Sequence, residues 1–194
     1  MKIQQLVFLL ACCLFSSTVI GQSQSSLDLA LRHIEENQAA WGLDKADIED
    51  LKISDHTFSK KGSIDHYYFL QRYEGVDVYN AVTSVHVNPA GKTLAARHNF
   101  IPQLAGKVSN NKAKISEADA LRQVLANLEI TAPNFNYTPI NRAEGKTTFS
   151  KGAVSNVDIV VRPIYQVVNE AEVRLAWDVT MDPTKNADYW NIRV

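Results

Sequence analysis

The strongest constraint on this chain lies between His66 and Asn99, where aromatic and β-branched residues recur with a period of two. Tyr67, Phe69, Tyr73, Val76, Val78 and Val82 alternate there with Tyr68, Leu70, Tyr79, Ala81, Val85 and Leu94. Glu74-Gly75 and Asn88-Pro89-Ala90-Gly91 interrupt the run. Both are turn sequences, because Gly and Asn accept left-handed backbone and Pro presets φ. The pattern predicts a three-stranded antiparallel meander that is apolar on both faces. One helix covers only one face of a small sheet, and a free antiparallel face is usually polar. A second cover is therefore expected, from the rest of this chain or from a separate partner domain.

Before the meander, Ser25 or Ser26 is placed to cap a helix carrying Leu27, Ala30, Leu31 and Ile34 at helical spacing, ending at Trp41-Gly42. A linking stretch with Asp44, Asp47 and Asp50 leads to an exposed turn at Lys60-Lys61-Gly62-Ser63. After the meander, Gln103 to Lys114 is polar and reads as a linker. Ser116 opens a second helix with Asp119 as a shortened capping box and Leu121, Val124, Leu125 and Leu128 as its apolar stripe. A loop runs to Asn156, and strands follow at Val157–Arg162, Ile164–Val168, Val173–Met181 and Tyr189–Val194. The fold class expected is α+β, in two similar units, each a helix packed on an antiparallel meander.

At the start, Met1-Lys2 and the apolar run Leu6–Ile20 have the layout of a secretory signal peptide cleaved after Gly21. Reading Leu9-Leu10-Ala11-Cys12 as a lipoprotein box instead would strand apolar Leu14–Ile20 on the mature protein. Both cysteines, Cys12 and Cys13, fall within the expected signal peptide, so disulfide and thiolate chemistry are not expected in the mature chain. About 173 residues remain, enough for one medium domain or two small ones. Formal net charge is −1, without the basic footprint that nucleic acid or an anionic membrane surface demands. No membrane span is expected after signal-peptide removal.

Catalytic signatures are sparse. A zinc peptidase needs His-Glu-x-x-His, and the sequence contains none; His33 with Glu36 reads as an exposed helical pair. There is no Gly-x-Ser-x-Gly elbow and no phosphate-cradling Gly-rich loop. Asp77, Asp178 and Asp182 read as solvent-facing or turn residues. For His66, His86 and His98, pairing Tyr73 with Val76 and Val87 with Lys92 sets His66 and His98 on one face and His86 on the other, so they are not expected to converge on one ion.

The stretch His66-Tyr67-Tyr68-Phe69-Leu70-Gln71-Arg72-Tyr73-Glu74-Gly75-Val76-Asp77-Val78-Tyr79-Asn80-Ala81, followed by Val85–Lys92, resembles the fungalysin/thermolysin propeptide (FTP) motif. Ile115–Leu121 and Leu175-Ala176-Trp177-Asp178-Val179 are similar to the PepSY-type region that follows it in fungalysin precursors. The resemblance implies a cystatin/PepSY-like scaffold: signal peptide 1–21, FTP-type unit 22–102, linker 103–114 and PepSY-like unit 115–194. It implies the non-enzymatic prodomain of a secreted zinc metalloendopeptidase, acting as intramolecular chaperone and inhibitor with the cognate catalytic domain as partner. A stand-alone secreted inhibitor or binding module is the alternative. No cofactor is implied for this chain; zinc belongs to the catalytic domain, which is absent here. Because the sequence stops directly after a strand, a fragment of a longer zymogen is the expectation. Gln71, Gly75, Val76 and Val78 carry the motif, with turn and core formation as their main expected role and the protease interface as the other.

Overall fold

The computed structural model describes residues 25–94, 98–185 and 189–194. The signal peptide expected at 1–21, with Cys12 and Cys13, lies outside them. Ser25 caps α1 (Ser26–Asn37) through a reciprocal box: its hydroxyl accepts the Asp28 N–H at 3.1 Å and the Asp28 carboxylate accepts the Ser25 N–H at 3.3 Å. Asp44 and Asp47 repeat that device at α2 (Lys45–Glu49), in the stretch expected to be only linking.

Four strands follow: β1 (Lys52–Ser59), β2 (Ile64–Tyr73), β3 (Val76–Val87) and β4 (Thr93–Leu94), paired antiparallel in sequence order. The turn at residues 60–63 joins β1 to β2, and β1 is a strand the sequence reading missed. Its residues are almost all exposed and alternate little in hydropathy, so no period-two signal marks it. The stretch expected to be a linker is ordered differently: α3 (Leu104–Lys107) is one helical turn with Leu104 buried, and β5 (Val108–Asn110) pairs parallel with a later strand.

Ser116 caps α4 (Glu117–Asn127), accepting the Asp119 N–H at 3.1 Å. The loop expected up to Asn156 contains a hairpin, β6 (Asn141–Ala143) and β7 (Lys146–Phe149), turned by Glu144 and Gly145 at φ +52° and +70°. Then come β8 (Ile159–Asn169), β9 (Glu172–Met181) and β10 (Trp190–Arg193). β8 runs unbroken through Pro163, which separates two strands in the sequence reading. Pro163 falls between the β7 pairing at 159–161 and the β3 pairing at Tyr165, where a missing N–H costs no ladder bond.

The result is a mixed α/β fold dominated by sheet, with few helices. Its strands run in the order β1-β2-β3-β8-β7-β6, and β9 lies beyond β8 with β5 and β10 beside it. One parallel register, Val78 opposite Tyr165, joins the two halves. Three cores hold it together. Ala30 and Ile34 of α1 pack on Tyr67, Phe69, Val85 and Val87. Leu121, Val124 and Leu125 of α4 pack on Phe149, Ile159, Val161, Val179 and Met181. Val78, Ala81, Leu104, Tyr165 and Val173 form the third, at the junction. Each large side chain so buried contributes about 1.5–3 kcal/mol.

Candidate docking face and the motif residues

The motif residues sit where β2 turns into β3. Gln71 is 0% exposed. Its Nε2 donates to the Asp47 and Ile101 carbonyls at 3.0 Å each, and its Oε1 accepts the Ile101 N–H at 2.7 Å. The neighbouring Asp47 carboxylate, 3% exposed, accepts the Gln103 and Leu104 N–H groups at 2.8 Å each. Together they clamp α2 and the chain leaving the meander onto β2. Gly75, at φ +79°, forms the turn with Glu74 at φ +49°; its N–H donates to Asp50 at 3.0 Å, and Asp50 also pairs with Arg72. Val78 is fully buried in the junction core and Val76 packs against it. Gln71 and Val78 are therefore reached by a partner only if the fold opens.

Opposite Gln71, β3 carries a bulge. Leu70 pairs with Val82 and Arg72 with Asp77, so four residues of β3 oppose one of β2. Asn80 at φ +59° absorbs the excess, and the buried positions of β3 switch parity across it, from Val78 to Ala81, Thr83, Val85 and Val87. The displaced register sets His66 directly opposite His86, with Nδ1 atoms 2.8 Å apart and ring centroids 4.6 Å apart. The expectation that these two histidines point to opposite faces is thus overturned, because turn-based register ignores a bulge. His98 bridges to Thr83 instead and stacks on Trp41 at 4.5 Å. Burial, then the charge of His66, holds His86 below the ordinary histidine value; burial does the same for His98. His33 contacts Thr93 at 3.0 Å and the edge of Trp41, and its helical neighbour in hydrogen bonding is Asn37 rather than Glu36. Among the described residues no group of three or more His, Cys, Asp or Glu side chains is placed to hold a metal ion.

The face of the meander away from α1 carries His66, Tyr68 and Leu70 of β2 and Val82, Ser84 and His86 of β3. All six are partly exposed, and none enters any of the three cores. The second half of the chain covers only the end of the sheet around Val76–Ala81, through the junction core. Polar contacts reinforce that junction. Arg162 donates to Asp178 at 3.0 Å and to Asp77 at 3.4 Å, Lys52 lies 3.6 Å from Asp77, and the Arg193 guanidinium sits 3.7 Å over the Tyr79 ring. Asp178, expected to face solvent, is 1% exposed because its cross-strand neighbour Arg162 folds over it. Asp77 is largely covered by the same arginine, and Asp182 lies at a turn whose N–H donates to Ser155.

Residues 49–100 match the family model of the Fungalysin/Thermolysin Propeptide Motif, a span running from the end of α2 through β4. No curated protein matches the sequence significantly. The matched motif is a non-catalytic prodomain element, and the chain is not the catalytic peptidase. Such a motif implies a propeptide of a thermolysin- or fungalysin-type peptidase and association with a peptidase domain. Among the described residues no helix is long and apolar enough to cross a membrane.

Proposed function

We propose that this chain is the prodomain of a secreted fungalysin-type zinc metalloendopeptidase, assisting its folding and holding it inactive. The observation that carries this reading is the propeptide-motif match over the meander. The partly exposed apolar face of that meander supports it. A partner resting on Tyr68, Leu70 and Val82 would bury apolar surface that the chain itself leaves wet. Binding the native peptidase but not its unfolded chain shifts the folding equilibrium toward the native state, and tethering raises the effective concentration. The two helix-on-sheet cores, one around α1 and one around α4, support an FTP-type unit followed by a PepSY-like unit. Zinc belongs to the peptidase partner, and the precursor reaches the exterior through the signal peptide at 1–21.

The test is a refolding assay: a denatured fungalysin-type catalytic domain from the same source is diluted with and without the purified chain. A higher yield of active enzyme with the chain, after its removal by limited proteolysis, is the expected result. An unchanged yield contradicts the chaperone role.

A further inference from the structure

We propose that His66 and His86 form a two-imidazole chelate for a divalent transition-metal ion of the Cu²⁺ and Ni²⁺ class. This goes beyond the prodomain reading and does not rest on it. The two rings stand opposite each other on adjacent antiparallel strands, with their Nδ1 atoms 2.8 Å apart and the rings inclined at 66°. A hydrogen bond between two imidazole nitrogens requires one ring to donate and the other to accept. In that bond the lone pair and the N–H lie near the line between the nitrogens, and an ion bound to both lies off it, so each ring turns by up to about 45° as the ion takes the place of the shared proton. Two metal–nitrogen bonds of about 2.0 Å at a right angle place the nitrogens about 2.8 Å apart, the cis arrangement of tetragonal Cu²⁺ or Ni²⁺. A tetrahedral ion needs the nitrogens about 3.3 Å apart, which requires the two rings to separate.

The surroundings suit such an ion. Both histidines are partly exposed, so the remaining coordination positions open to water. Tyr68 meets the His86 ring edge-on with centroids 6.5 Å apart. From β1, Thr57 lies opposite His66 and the anionic Asp55 opposite Tyr68. Metal binding through both Nδ1 atoms moves the donor ring's proton to Nε2, and no net proton is lost when both rings start neutral.

The test uses the chain freed of residues 1–21, and so of Cys12 and Cys13, without an affinity tag, titrated with CuCl₂ at neutral pH and followed by calorimetry and electron paramagnetic resonance. One ion per chain with two-nitrogen coupling is expected. His66→Ala and His86→Ala should each weaken binding by an order of magnitude or more and remove one nitrogen from the spectrum, while His98→Gln leaves both unchanged. Circular dichroism confirms that each variant is folded; these side chains lie outside the buried cores. Failure to bind, or binding untouched by both alanine variants, overturns the proposal. An unchanged refolding yield for the peptidase leaves it standing.

Discussion

Gln71 and Ile101 exchange two hydrogen bonds: the Ile101 N–H reaches the amide oxygen at 2.7 Å, and the amide nitrogen reaches the Ile101 carbonyl at 3.0 Å. A side chain on β2 thus substitutes for a strand partner of the segment that leaves the meander. Gln71→Leu keeps the volume and removes the partners of the part-buried Ile101 N–H and of the Ile101 and Asp47 carbonyls. The expected loss is about 2–4 kcal/mol in urea denaturation. A loss within about 0.5 kcal/mol would show that the clamp is dispensable.

Gly75 has no heavy atom within 4 Å of an added Cβ, so its constraint is the φ of +79° alone. Gly75→Ala should cost about 1 kcal/mol, and Glu74→Asn, which tolerates positive φ better, should recover part of it. Denaturation midpoints of the two variants check this. No change in Gly75→Ala would contradict the turn assignment.

At the junction, Asp178 is buried while Arg162 is about one-third exposed. Asp178→Ala removes the anion that Arg162, Asn191 and Arg193 approach. A double-mutant cycle with Arg162→Ala should give a coupling of about 1 kcal/mol, less than for a fully buried pair because solvent screens the arginine. Additive effects would mean that the apolar junction core alone joins the halves.

Stability should also respond to pH through His98. Burial holds its value below that of the unfolded chain, so the folded state takes up the proton less readily. Its contribution is complete above about pH 6.5, is lost as pH falls from there toward the folded value, and levels off below it. Stability measured with a chelator present should therefore rise with pH across that window, and His98→Gln should flatten the rise. An unchanged slope in the variant would contradict the assignment.

The two long helices, α1 and α4, and the main hairpin are legible because each announces itself locally, whereas the one-turn helices α2 and α3 are too short to show a periodic stripe. Ser25 and Ser116 are caps, and Glu74-Gly75 is a two-residue turn. The equivalent turn at Glu144-Gly145 was missed because its flanking strands are short and polar. β1 was missed because it lacks alternation, and the continuity of β8 was hidden by Pro163. Site geometry was harder to read than topology. The His66–His86 pairing depends on a bulge at Asn80, and a register counted outward from a turn carries no sign of it. The role of Gln71 was equally hidden, since a buried amide is recognised only once Asp47 and Ile101 are known to surround it.

The central claim is that the open face of the meander docks on a peptidase. The most direct measurement is peptide hydrolysis by the fungalysin-type catalytic domain against increasing amounts of this chain, as wild type and as the folded double variant Leu70→Lys/Val82→Lys. Progressive inhibition by the wild type, and a loss of inhibition in the variant, is the predicted result. Hydrolysis indifferent to the wild-type chain, or inhibited equally by both proteins, would contradict it.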